Sequence, residues 1–405
     1  MQPVTITGQV RRTEILLAEP GADGPFVQPV DLQPGAPPTQ LRYSIDATTD
    51  HIYPNTVIGA RWRIVLDDGS TVVGPSVSVR YDDTRFEWQT LSASIIRVHW
   101  YSGPNSFGQR ARDIGQKAID DTSSLLGVTE TEPVDFFVYA DQGAFYDALG
   151  PGTRENVGGQ ANADIRTLFA LITPAEINAT WVSIVIPHEL THLVFNTAVQ
   201  NPYHFPSRWL NEGLAVYLSQ GYDSADRSAV QAAARDGSLM PLDALIGQFP
   251  TTVDRFSLAY AESVSAVDFL VRTYGRSALV ALVRSYGGGL SDDEAFKGAL
   301  GVNVDDFQKR WLADLNAIEP KVAGPASAPP GPLPPGWTGG TGATVQPATG
   351  GSLSPEASSA PASGSGGASG FQLPAIIAAI ILAIVILLVV LVVLRQRRAP
   401  GQDRE

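Results

Sequence analysis

His188-Glu189-Leu190-Thr191-His192, with Glu212 following twenty positions later inside Trp209-Leu210-Asn211-Glu212-Gly213, constrains the fold of this chain more than any other feature. On a helix, residues i and i+4 share a face, so the imidazoles of His188 and His192 can grip one metal ion together. Glu189 lies about 100° further round, where its carboxylate reaches over the metal to a water without ligating. A catalytic zinc needs three protein ligands and an open position, and two histidines leave one ligand missing. Residues 207–220 read as a second helix, with Trp209, Leu210, Leu214 and Tyr217 as its apolar stripe. Asn201-Pro202 and Pro206 force a loop between the two helices, so the chain can double back and bring Glu212 to the metal as third ligand.

This arrangement resembles the gluzincin branch of the zincin metallopeptidases, and within it the broad group of peptidase MA-like domains. The resemblance covers roughly residues 90–316, and its specific motifs occupy 188–215. It continues more loosely through Tyr260-Ala-Glu-Ser263, Thr273-Tyr-Gly275 and Phe307 with Trp311. The resemblance implies an α+β zincin-like domain with a helical C-terminal lobe, one Zn2+ per chain on His188, His192 and Glu212, and hydrolysis of a peptide or protein substrate. Glu189 would be the general base. A tyrosine or histidine of the C-terminal lobe would steady the oxyanion, and Tyr260 is the choice, with His204 as competitor. Relatives of the thermolysin type place an aspartate one turn after the glutamate ligand to orient the first histidine. Here that position is Val216, so the partner must come from elsewhere. The alternative function is a non-catalytic surface adhesion or scaffold protein that keeps the zincin fold as a binding module.

Substrate in such sites adds as a strand along the sheet edge above the metal, and Asn156-Val-Gly-Gly-Gln-Ala161 offers glycines that let a backbone approach closely. The aminopeptidase-like Gly-x-Met-Glu-Asn signature is absent from Gly158-Gly-Gln-Ala-Asn162, which leans towards an endopeptidase.

Around this centre the chain divides into five segments. Residues 1–88 read as a β-sandwich of immunoglobulin or fibronectin type, with strands at 41–46, 60–66 and 77–81 and a hairpin at Asp67-Asp68-Gly69-Ser70. His51 stands alone there and reads as a surface histidine. Residues 89–319 form the peptidase domain: strands at 94–100 and 134–139, a helix at 107–126, an active helix that starts or kinks near Pro187, and helices at 253–274, 277–286, 292–300 and 304–318. Residues 320–372 are a stalk rich in Pro, Gly, Ser and Ala, of which 322–371 carry one charged residue, Glu356. Residues 373–394 read as a transmembrane helix, since twenty residues at about 1.5 Å each span the roughly 30 Å hydrocarbon core. Arg395, Arg397 and Arg398 make residues 395–405 a short basic tail, which the positive-inside rule places in the cytoplasm, with everything before the span outside. No signal peptide is visible at Met1, so translocation requires one removed from this numbering or missed at the start site; a tail anchor with a cytoplasmic enzyme is the other arrangement.

A net charge of −13 without a basic stripe argues against a nucleic-acid partner. The absence of cysteine rules out a disulfide framework, a thiolate metal site and a cysteine nucleophile. Oligomeric state is not legible.

Overall fold

The structure, a computed structural model, describes residues 2–3, 9–30, 40–46, 51–151, 158–201 and 204–320. The expected transmembrane helix 373–394 and tail 395–405 lie outside these residues, as does all of the stalk 320–372 except Pro320. Among the described residues no helix is long and apolar enough to cross a membrane.

The N-terminal region is a β-module. Strands β1 (Gln2–Pro3) and β4 (Gln40–Leu41) pair with each other. Strands β2 (Val10–Ala18), β3 (Phe26–Val30), β5 (Thr56–Leu66), β6 (Thr71–Val73) and β7 (Val77–Tyr81) form an antiparallel sheet. In it β2 joins β3 to β5, and both β6 and β7 pair with β5. The alternation of Ile58, Trp62, Ile64 and Leu66 along β5 puts these side chains into one core with Ile15, Leu17 and Leu41. The hairpin forms where expected, with Gly69 at φ 83° and Ser70 N–H donating to Asp68 Oδ1 at 2.8 Å. The strand expected over 41–46 does not form, and the chain leaves β4 after Leu41 as irregular backbone.

The second sheet has the order β11-β12-β10-β9-β8. It comprises β8 (Gln89–Ser92), β9 (Ile96–Trp100), β10 (Val134–Tyr139), β11 (Gly159–Asn162) and β12 (Thr167–Leu171). Strands β9, β10 and β12 are parallel, and the edge strands β8 and β11 run antiparallel to their neighbours. Strand β10 is buried along its whole length and β12 nearly so, whereas β9 alternates buried Ile96, Val98 and Trp100 with half-buried Arg97 and His99. One face, through Ile96, Val98 and Trp100, shares a core with helix α1 (Asn105–Leu126) and the helical lobe. The other, through Phe137, Tyr139 and Phe169, packs on helix α2 (Gln142–Leu149) and on Tyr53, Phe86 and Trp88.

The β-module is bonded to this sheet. Asn55 Nδ2 donates to Asp135 Oδ2 and to Thr167 Oγ1, each at 2.9 Å. Asp135 also accepts from Arg97, and His99 Nε2 lies 2.8 Å from its Oδ1. Burial works against the Asp135 carboxylate, but the hydrogen bonds from His99, Arg97 and Asn55 outweigh it and hold the group well below the usual aspartate range. His51 is half-buried rather than freely exposed: its ring lies 5.0 Å from Tyr53 and fills the space beside Gly150, and burial lowers its pKa.

The helical lobe contains α3 (Val182–Val199), α4 (Arg208–Ser219), α5 (Ser224–Asp236), α6 (Val253–Tyr274), α7 (Arg276–Ser285), α8 (Asp292–Leu300) and α9 (Val304–Asp314). Gly275 and Gly301 end α6 and α8 at positive φ, as the sequence pattern anticipates. Helix α5 has a good start signal in Asp223, whose side chain accepts from two backbone N–H groups, yet sequence analysis missed it.

Candidate metal centre

Helix α3 begins at Val182 and runs through Pro187, six positions inside. An interior proline removes a backbone donor and ordinarily breaks a helix. Here burial of Val182, Val185, Ile186, Leu190, Leu193 and Val194 holds it together. Thr191 Oγ1 donates to the Pro187 carbonyl at 2.8 Å on the side away from the histidines. On the other side the His188 and His192 rings stand at 84° to one another, with their Nε2 atoms 3.3 Å apart.

Helix α4 doubles back against α3 and brings Glu212 to the same point. Its Oε2 lies 3.5 Å from each Nε2. The turn that begins α4 is fixed by Ser207 Oγ donating to Asp292 Oδ2 at 2.8 Å and by Arg208 N–H donating to the Ile246 carbonyl at 2.8 Å. Gly213 lets α4 press on α6, since a Cβ there would sit 2.4 Å from the Ser263 carbonyl oxygen. Glu212 is thus set from two sides, by α3 and by α6.

The three atoms fit a zinc ion. Tetrahedral ligands at ~2.0–2.1 Å from a metal stand ~3.3–3.4 Å from one another, which the 3.3 and 3.5 Å triangle matches. Two imidazole nitrogens and a carboxylate oxygen aimed at one buried point repel each other unless a cation or proton lies between them. Glu212 Oε2 is buried with no hydrogen-bond partner, as are both oxygens of Glu189. Among the described residues these three form the one group of histidine, aspartate and glutamate side chains close enough to hold a metal.

Sequence analysis sought a partner for the first histidine, whereas the structure supplies one for the second, His192: Asn211, the residue before Glu212. Its Oδ1 lies 3.0 Å from His192 Nδ1, so with Nε2 turned to the metal point, Nδ1–H donates to Asn211. The Trp-Leu-Asn-Glu-Gly run contains Asn211, but adjacent helical positions lie about 100° apart, so no local pattern in the run pairs it with His192.

Charges in the cluster are strongly coupled. Burial depresses the His188 imidazole. Burial also works against a charged His192, but the Glu212 carboxylate overcomes it and raises that group to about 9. Glu212 is lifted by burial and pulled further down by His192, His188 and Arg208, so it stays well below the usual glutamate range. Glu189 is raised to about 8 by burial, with His192 acting in the opposite direction. Edge strand β11 lies beside it: a Cβ on Gly159 would stand 3.4 Å from Glu189 Cγ.

Tyr260 is buried on α6, its ring 5.2 Å from Phe249 and 5.0 Å from Phe256. Its pKa is raised by burial and by the Glu212 carboxylate. His204 stands apart from the cluster, its ring stacked on Tyr286 and Nε2 3.5 Å from Asp292 Oδ1. A groove of about 770 Å³, lined by Lys117, Asp121, Pro187, Thr191 and Arg276, opens on the back of α3 and contains none of the metal-facing residues.

Fold and site together give a candidate metal centre: two histidines of one helix, a glutamate of the next, and a second glutamate beside an antiparallel edge strand. The family model described as the peptidase MA superfamily matches residues 114–317, half of the chain. The chain belongs to this superfamily, with an α+β domain behind a β-sheet N-terminal region. Solved structures that the chain matches include the M1 zinc metallopeptidase of Deinococcus radiodurans, at 18% identity over 63% of this chain and 56% of that one, with a TM-score of 0.34. The same Deinococcus enzyme, as a glutamate-to-alanine mutant bound to a Tyr-Ser-Ala substrate, matches at 17% identity over 63% and 55%, with a TM-score of 0.33. An aminopeptidase N family protein from Idiomarina loihiensis matches at 13% identity over 74% of this chain and 52% of that one, with a TM-score of 0.34. The chain spans about half the length of these structures. No curated protein matches it.

Proposed function

We propose that this chain hydrolyses peptide bonds with one zinc ion per molecule, held by His188, His192 and Glu212. The observation that carries the reading is the convergence of two Nε2 atoms and one Oε2 within 3.5 Å of one another, with the unpartnered Glu189 carboxylate beside them. Zinc, when bound, supplies the Lewis acidity that makes water attack a carbonyl at neutral pH. Glu189 accepts the proton of the attacking water and passes it to the leaving amine. Tyr260 donates its phenolic proton to the oxygen that gains charge, a role its undissociated state supports. The free edge of β11 takes the substrate backbone as an added strand, with Gly159 allowing close approach. Gly158-Gly-Gln-Ala-Asn162 carries no carboxylate to hold a free amine, which supports cleavage within a chain.

The reading extends to the cell surface. Residues 373–394 are apolar throughout and are followed by Arg395, Arg397 and Arg398, which supports a single span with a cytoplasmic tail and the peptidase domain outside on the 320–372 stalk. The decisive experiment compares zinc content and cleavage of a mixed peptide library for the wild-type chain and Glu189→Gln. We expect one zinc in both and a loss of turnover on the order of a thousandfold or more in the variant. Turnover by Glu189→Gln at the wild-type rate with unchanged zinc would sink the assignment of the base. Zinc without cleavage in the wild type would favour the binding-module alternative. Protease shaving of intact cells tests the orientation: loss of the peptidase domain is expected, and its protection would place the domain inside.

A further inference from the structure

Glu212 has two carboxylate oxygens, and the structure divides them. Oε2 faces the two imidazoles, whereas Oε1 faces the guanidinium of Arg208, one helical turn earlier on α4, with Nε at 3.4 Å and Nη2 at 3.5 Å. Arg208 is a buried cation, 9% exposed, and among the described residues it makes no other ion pair. Its Cζ lies 4.9 Å over the ring of Phe249, and that ring in turn contacts Tyr260. The Arg208 backbone is tied to the Ile246 carbonyl, so the side chain leaves the helix from a fixed base.

We propose that Arg208 is a positioning residue that holds Glu212 as a one-oxygen ligand and keeps a coordination position open for the reaction. The proposal rests on the zinc reading above. The terminal torsion of a glutamate is broad, so a carboxylate beside a dication can swing to present both oxygens. A second oxygen on the metal would fill the position that water and substrate need. A buried cation this close to a dication is unfavourable unless a negative atom stands between them, and Glu212 Oε1 is that atom. Phe249 covers the other side of the guanidinium with its π face, the surface suited to a desolvated cation. Among the described residues Nε has no hydrogen-bond partner, and the hydrogen bond of the guanidinium to Glu212 runs from Nη2 to Oε1.

The test uses the full-length chain as wild type, Arg208→Met and Arg208→Lys, with folding checked by circular dichroism. Zinc affinity is measured by chelator competition, and coordination by the visible spectrum of the cobalt(II)-loaded protein. Arg208→Met is expected to bind zinc roughly 10- to 100-fold more weakly and to show the weaker absorption of a higher coordination number. Arg208→Lys, which keeps the charge, is expected to recover most of the affinity and the wild-type spectrum. A methionine variant that binds zinc within about threefold of wild type with an unchanged cobalt spectrum overturns the proposal. So does a lysine variant as impaired as the methionine one, since that outcome assigns Arg208 a packing role only. Should Arg208→Met not fold, Arg208→Gln takes its place with the same thresholds. Failure of the wild type to bind zinc would instead overturn the peptidase reading itself.

Discussion

Two buried glutamates, Glu189 and Glu262, are each raised to about 8, and burial is the leading cause in both. Their uses differ because their neighbours differ. Glu189 stands beside His192 and Glu212 in the candidate metal site. Glu262, on α6, accepts only the Met240 N–H, at 3.1 Å to Oε2 and 3.2 Å to Oε1, and is buried in the lobe core. Its proton is kept in the folded state and lost in the unfolded one above the ordinary glutamate value near 4.3. Stability from this group is therefore complete below that value and declines as the pH rises through about 8. Glu262→Gln, which cannot ionise, is expected to flatten the decline by up to about 4 kcal/mol between pH 5 and 8, at about 1.4 kcal/mol per unit. Urea midpoints of the two proteins at both pH values measure this, and equal slopes would show that Glu262 ionises freely in the native state.

At the scale of elements, the metal point exists because α3, α4 and α6 are held at close range. The α4–α6 contact depends on a missing side chain at Gly213, where a Cβ would enter the Ser263 carbonyl. Backbone cannot rotate away as a side-chain tip can, so one added methyl pushes the helices apart. Gly213→Ala is expected to destabilise the protein by about 1–3 kcal/mol or more. It should weaken zinc binding as well, because the adjacent Glu212 moves with α4. Thermal melts and zinc titration of the same preparation check both. A variant with wild-type affinity would show that Glu212 is set by α3 alone. The proline in α3 makes the complementary point: burial of the surrounding helix on the sheet outweighs a local breaking signal.

For the whole molecule, the N-terminal β-module is joined to the peptidase sheet by a buried polar knot and an aromatic one. Asn55 reaches both Asp135 and Thr167, while Tyr53 stacks on Phe169 and accepts from Gln160 of edge strand β11 at 3.2 Å. A module bonded in this way is a support for the sheet. Asn55→Ala is expected to cost about 1–3 kcal/mol, the price of leaving buried partners unsatisfied. Chemical denaturation of the full chain checks this, and a change below about 0.5 kcal/mol would mark the seam as incidental. The sequence by itself singled out His188, His192, Glu212 and Glu189 as one candidate site, and determined most helices of the lobe and the hairpin of the β-module, because helical spacing, turn residues and caps are local properties. The partner of His192, the split carboxylate of Glu212, the partial burial of His51 and the seam through Asp135 were decided only by the tertiary structure. Each joins groups or surfaces that no local pattern pairs: Asn211 and Arg208 acquire roles once α4 has folded back on α3, and Asn55 meets an aspartate eighty positions away.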